Sequence, residues 1–333
     1  MKRFLIAALL VLPFAASPAQ AQREIRIAAF THEKSVVIVH LVQPFINAVN
    51  AEAGDKIKLR GYYGGSLGRD ASKYYDLIKD GVADIAYFDP GYTPGRFPDF
   101  GLFEMPFLAR NGKEASVAMW RMYKMGMIGG LDELKVLGVF STDTYHVQTA
   151  KPIDSVFDLK GIKVRSAAAV HSDVVKALNG VPIGLSITET TEALSRGVVD
   201  GAYTGFSTLT TFRMLPVVKH HYAIPLGVLP LAIGMNKKSW DSLPAETKAV
   251  IDKHSGEVFA VNGGGGFDIV GQDARKQIAG DASHKIYTPS DADFAKGAAL
   301  AKPVLDKWIA ETPDGQKKYD TFVRLLAEIR KGS

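Results

Sequence analysis

The residue with the clearest chemistry is Arg165. It ends an apolar strand inside "DLKGIKVRSAAAVHSDVVKALNG", Asp158 to Gly180. A charge at the tip of such a strand is unfavourable if buried without a partner. Two placements satisfy it. One is an ion pair with a carboxylate of the same domain. The other is an open position at the C-terminal edge of a parallel sheet, where ligands of open α/β folds bind. Guanidinium suits the second, because its planar fork stays charged and matches a carboxylate two bonds at a time. The small residues of "SAAAV" leave room for a ligand and expose backbone N–H groups. The helix N-terminus behind them favours an anion.

Catalytic constellations do not accompany it. The sequence holds no His-Glu-x-x-His and no Walker A lysine. Gly64, Gly65 and Gly68 fit a tight turn, because "GGSLG" has no nucleotide-binding spacing. "TGFSTL" is not Gly-x-Ser-x-Gly, so Ser207 is a poor nucleophile. His220 and His221 are adjacent, so on a strand they point to opposite faces and do not make a metal site. His171 reads as a solvated or capping histidine, with a site role left open. There is no cysteine, which removes thiolate catalysis, disulfides and cysteine metal sites.

The elements that must hold Arg165 alternate. "REIRIAAF" and "KIKLRGYY" read as strands around a helical stretch from Val36 to Gly54. "ADIAYFD" is a third strand, ending in the Pro/Gly loop "PGYTPGRFPDFG". Strand, helix and strand then recur through "GIKVRS", "AAVHSDVVKALNG", "VPIGLS", "TETTEALSRG" and "DGAYTGF". This is the pattern of an α/β fold with parallel pairs. "GVADIAY" (Gly81 to Tyr87) and "GVVDGAY" (Gly197 to Tyr203) match in register, which predicts two similar domains. The last third is mainly helical. The run Gly263 to Gly266 costs about 1 kcal/mol per interior glycine, and it reads as a break or flexible joint between helices.

Lys2 and Arg3, the apolar run Phe4 to Ala16 and the small-x-small step Ala19-Gln20-Ala21 read as a secretory signal peptide. Its removal leaves 312 of 333 residues and lowers the formal net charge from +5 to +3. That length suggests roughly two domains. So mild and scattered a charge does not point to nucleic acid, and it tolerates an anionic small ligand.

Beyond Arg165, the chain resembles the solute-binding proteins of TRAP (tripartite ATP-independent periplasmic) transporters. The likeness rests on five motifs in order. They are Gly64, Gly65, Leu67 and Gly68 with the step Gly81 to Asp84; Pro106-Phe107-Leu108; the block Asp158 to Arg165; Gly197 to Gly201; and Trp240, Leu243 and Pro244. The resemblance implies a two-lobed α/β periplasmic binding protein of type II-like, Venus-flytrap form, with a hinge and a long connecting helix. The expected division is a signal peptide over 1–21, one lobe over 22–142 plus 230–270, and a second over 143–229 plus 271–333. It implies no catalytic activity, no cofactor and no metal. It implies capture of an organic acid in the periplasm and delivery to integral membrane permease subunits.

In the family the arginine of this block pairs with the ligand carboxylate, and Arg165 holds that position. A second arginine of some relatives aligns with Tyr145, and their asparagine after "VDG" aligns with Thr204. Asp89 sits near an acidic position of the first lobe; its carboxylate is read either as an acceptor for ligand hydroxyl or amino groups or as turn chemistry with Pro90-Gly91. Phe30, Tyr87, Phe88, Tyr92, Tyr145, Tyr203 and Phe206 complete the expected cleft. One cation among many rings predicts a ligand with one carboxylate and a body less polar than a sugar acid, such as an aromatic or branched acid. Competing readings are a binding protein of an ABC importer or signalling receptor, against which the Asp158 to Arg165 block argues, and an exported hydrolase, for which no nucleophile–base–acid set is present.

Overall fold

The structure, a computed structural model, describes residues 22–332. The leader read over 1–21 lies outside the described residues. The strands are β1 (Arg23–Ala28), β2 (Ile57–Tyr62), β3 (Ile85–Phe88), β4 (Leu134–Ser141), β5 (Tyr145–Thr149), β6 (Lys163–Ser166), β7 (Val181–Gly184), β8 (Gly201–Gly205), β9 (His220–Tyr222), β10 (Pro230–Asn236) and β11 (Lys285–Tyr287). They form two sheets, ordered β2-β1-β3-β10-β4 and β11-β9-β5-β8-β6-β7. Each has a parallel set, β2-β1-β3 in one and β7-β6-β8 in the other. Antiparallel strands extend both. This is the two-lobed α/β architecture expected from the sequence.

The helices are α1 (Gln43–Ala53), α2 (Tyr74–Lys79), α3 (Gly112–Lys124), α4 (Ala169–Ala177), α5 (Ile187–Ser195), α6 (Phe206–Thr211), α7 (Lys237–Asp241), α8 (Ala245–Lys253), α9 (Glu257–Ala279), α10 (Asp291–Glu311) and α11 (Gly315–Arg330). A π turn over Ile38–Val42 precedes α1, with Gln43 N–H donating to the Ile38 carbonyl. Pro44 supplies no N–H there, so the helical register slips by one residue.

The internal repeat has a structural basis. Gly81 and Gly197 both adopt positive φ, 75° and 68°, where each preceding helix stops. Asp84 then accepts the Arg26 N–H at 2.9 Å, and Asp200 accepts the Lys163 N–H at 2.9 Å. In each lobe one aspartate therefore pins the neighbouring strand at the point where β3 or β8 begins.

The chain crosses from the first sheet to the second between Ser141 and Tyr145 and returns between Tyr222 and Pro230. It crosses again along α9, which packs on α3 and β4 and on α6. The residues after 270, grouped by sequence with the second lobe, divide. Helix α10 packs on α4, while α11 packs on α3, and Arg330 there binds Glu114 at 2.7 Å.

One expectation is corrected. Gly263 to Gly266 do not break the helix; α9 runs through them without interruption. Their purpose is close packing. A Cβ on Gly264 would strike the Gly112 carbonyl, one on Gly263 would meet the Phe140 ring at 2.8 Å, and one on Gly266 would strike His40. Missing side chains let α9 press its backbone onto α3 and β4, which offsets the propensity cost. Gly265 alone faces open space.

Candidate functional site

Strand β6 carries Arg165 between Ile183 of β7 and Ala202 of β8. The guanidinium is fully buried, at 0 % exposure. Its Nε donates to the Leu185 carbonyl at 2.9 Å, and one Nη reaches the Tyr92 hydroxyl at 3.5 Å. The other, Nη1, has no partner. Among the described residues Arg165 makes no ion pair, so the placement with an internal carboxylate partner is not the one adopted.

Beside it lies a narrow cavity of about 50 Å³, walled by both lobes. Phe30, Tyr87, Asp89 and Tyr92 come from the first lobe, and Tyr145, Ile187, Thr208 and Phe212 from the second. Phe30 packs on Tyr87 and Tyr92 with ring centroids 4.7 and 6.2 Å apart. The Tyr92 hydroxyl accepts the Ile187 N–H at 2.8 Å, tying the lobes together at the start of α5. His32 adds a second tie to the Thr211 carbonyl at 3.0 Å. Two larger depressions lie nearby. A groove of about 710 Å³ runs between Arg69–Ser72 and Gly184–Glu189, and a recess of about 310 Å³ lies against Trp308 of α10. Both are more polar, and the groove is also more open. Tyr92 lines the groove as well as the narrow cavity, so it stands between them.

Asp89 adopts the turn role, with one carboxyl oxygen left over. Oδ1 caps the short turn Pro90–Tyr92 by accepting the Gly91 N–H at 2.8 Å, while Oδ2 is buried without a partner. Burial pushes its carboxyl up to about 7, against the lowering effects of the Gly91 bond and the Arg165 charge. Tyr145 is the first residue of β5; burial raises its phenol, against the field of Arg165.

The small residues after Arg165 also act differently from the expectation. The Asp89–Tyr92 turn occupies their space: a Cβ on Gly91 would come within 2.6 Å of the Ala168 Cβ. Here glycine and alanine let the lobes close on one another.

Besides Arg165, which meets the wall only through the Tyr92 hydroxyl, four expected cleft residues do not reach the cavity wall. Phe88 points to the other face of β3 and packs on Tyr75 and Phe97, at 5.2 and 5.7 Å. Tyr203 binds the Leu226 carbonyl and stacks on His171 at 4.6 Å. Phe206 packs on His146 at 5.0 Å, with the Arg275 guanidinium 5.7 Å from its ring. Thr204 bonds Thr208 at 2.6 Å and stands one hydroxyl behind the wall. Alternation sets Phe88 opposite Tyr87 on β3 and Tyr203 opposite Thr204 on β8, while Phe206 opens α6.

His171 is corrected from a solvated or capping residue to a fully buried one. It lies between Tyr145 and Tyr203, its Nδ1 without a partner, and burial followed by the Arg165 charge lowers it to about 3. Three buried polar atoms without partners, on Asp89, Arg165 and His171, thus belong to this one neighbourhood.

Sequence reasoning missed Glu104, a buried carboxyl raised by desolvation and then by Asp89. It also missed Asp143, which accepts the Ser207 N–H at 3.1 Å and Ser207 Oγ at 2.5 Å in the crossing segment. Neither position carries a motif. Ser207 is thereby explained as a hinge contact. His221 bonds Gln148 at 2.7 Å and His284 at 3.0 Å, and no group of metal-ligating side chains forms among the described residues.

Known proteins share this fold. The profile of the bacterial extracellular solute-binding protein family 7, DctP, matches residues 27–312. A marine metagenome TRAP solute-binding protein specific for aromatic acid ligands, solved with metahydroxyphenylacetate, superposes with a TM-score of 0.87 at 28% identity, covering 92% of this chain and 99% of that one. A TRAP solute-binding protein from Rhodoferax ferrireducens, solved with copurified benzoate, gives 0.87 at 26% identity, covering 92% and 98%. The C4-dicarboxylate-binding periplasmic protein DctP of Rhodobacter capsulatus is 29% identical over 200 residues, 59% of this chain and 60% of that protein. These relatives bind their substrates and do not transform them. From residue 27 to residue 312, the chain belongs to the DctP family and is a TRAP-type periplasmic solute-binding protein.

Proposed function

We propose that this protein captures a small aromatic monocarboxylic acid, holds its carboxylate on Arg165, and delivers it to integral membrane TRAP permease subunits. The carrying observation is the buried Arg165 Nη1 without a partner, next to a cavity walled by rings and aliphatic side chains. A ligand carboxylate completes that guanidinium by a charge-assisted pair. No lysine or arginine stands in the cavity wall among the described residues, so a second carboxylate would meet Asp89 and no cation. The wall therefore favours one acid group and an apolar body. The neighbours solved with benzoate and with metahydroxyphenylacetate support the same ligand class.

Binding works through closure. Ligand contacts both lobes only when they are shut, so it shifts the open–closed population. The cavity of about 50 Å³ is smaller than the roughly 150 Å³ void that holds benzene in an apolar core. An aromatic acid therefore enters as the lobes open, and they reclose with the wall rings displaced. A thermal-shift panel with native mass spectrometry tests the proposal. Benzoate and hydroxybenzoates should raise the melting temperature and appear as one bound acid per chain. A shift only with four-carbon dicarboxylates or sugar acids would refute it.

A further inference from the structure

Of the buried polar atoms without partners, Asp89 Oδ2 belongs to a residue of the cavity wall itself. Its sister oxygen is committed to Gly91, and no ion pair with Arg165 forms. Apart from Tyr145, whose hydroxyl makes no hydrogen bond among the described residues, the other hydroxyls of the wall are engaged within the protein. Thr31 bonds Tyr87 and Ser35 at 2.6 and 2.8 Å. Thr142 donates to the Asp143 carbonyl at 2.9 Å, and Thr208 and Thr211 donate to the Gly205 and Ser207 carbonyls at 2.6 and 2.8 Å. The first lobe thus presents one uncommitted carboxyl oxygen in the wall, while on the second lobe the uncommitted Arg165 Nη1 lies just outside the wall, on the guanidinium that reaches the Tyr92 hydroxyl.

We propose that Asp89 reads a hydroxyl on the ring of the ligand, so that the site prefers a hydroxylated aromatic acid to its unsubstituted parent; this rests on the function proposed above. A hydroxyl both donates and accepts, so it satisfies Oδ2 whether or not the carboxyl holds its proton. A methoxy group lacks the donor, and an ammonium group would bring a second positive charge toward Arg165. The parent acid leaves Oδ2 facing an apolar ring, and an unmade bond to a buried group is costly. With the carboxylate on one lobe and the hydroxyl on the other, such a ligand spans the cleft and stabilises the closed form.

Calorimetry on the purified protein tests this with benzoate, 2-, 3- and 4-hydroxybenzoate, and the matching methoxybenzoates. At least one hydroxybenzoate should bind about 10- to 100-fold tighter than benzoate, and its methoxy counterpart should lose that advantage. Asp89→Ala should bring the ratio of the two affinities to within about threefold. Asp89→Ser keeps an acceptor for the Gly91 N–H while deleting the second oxygen, so it should give the same collapse in a protein that retains its turn. Equal binding of benzoate and every hydroxybenzoate, or a preference surviving in Asp89→Ser, overturns the role of Asp89 and leaves the aromatic-acid reading standing. Failure of all these acids to bind overturns both.

Discussion

Replacing Arg165 by methionine separates binding from folding. The guanidinium offers the ligand Nη1, which is free, and the Nη that makes only a 3.5 Å contact to Tyr92. Two charge-assisted bonds contribute about 3–6 kcal/mol, which is about 10²- to 10⁴-fold in affinity. The fold should lose little. The Leu185 carbonyl forfeits its donor, a cost of about 1–3 kcal/mol. Removing a buried charge that lacks an ion-pair partner offsets part of that cost. Circular dichroism should therefore show a melting temperature within several degrees of the parent, while calorimetry with the tightest-binding benzoate shows the loss. Arg165→Lys should also bind at least about tenfold more weakly, because one ammonium cannot make the forked pair. A methionine variant that keeps its affinity within about tenfold would refute the anchor.

Three further outcomes are expected. Burial holds Asp89 and Asp143 up at about 7 and raises Glu104 as well, so the folded protein keeps protons that the unfolded chain releases above about 4. Burial lowers His146 to about 4 and His171 and His221 to about 3, an opposing effect that is complete above about 6.5. The melting temperature of the free protein should therefore fall between pH 6.5 and 8; an unchanged or higher value at pH 8 contradicts the buried carboxyls. Gly264→Ala should destabilise by about 1–3 kcal/mol, since its Cβ strikes the Gly112 backbone, while Gly265→Ala faces open space and should stabilise by up to about 1 kcal/mol in thermal melts. Phe206→Leu should lower the melting temperature by a few degrees and leave ligand affinity within about threefold, because its ring meets His146 and Arg275 and not the cavity; a large loss of affinity would return Phe206 to the site.

The sequence by itself determined the two-lobed α/β plan and singled out Arg165. Both are local. Alternating strands and helices, the paired Gly-Val-x-Asp-x-Ala-Tyr segments and a charge ending an apolar strand are written in consecutive residues. The strand period of two leaves undecided which face meets the other lobe, so Phe30 and Tyr92 could not be told from Phe88 and Phe206 until the lobes were packed. The glycines of α9 looked like a break because propensity is counted within a helix; only the approach of α3 and β4 makes missing side chains favourable. Burial of Asp89 and His171 beside Arg165, and of Glu104 near Asp89, joins residues far apart in the chain. Their charge states come from a desolvation that no stretch of sequence contains.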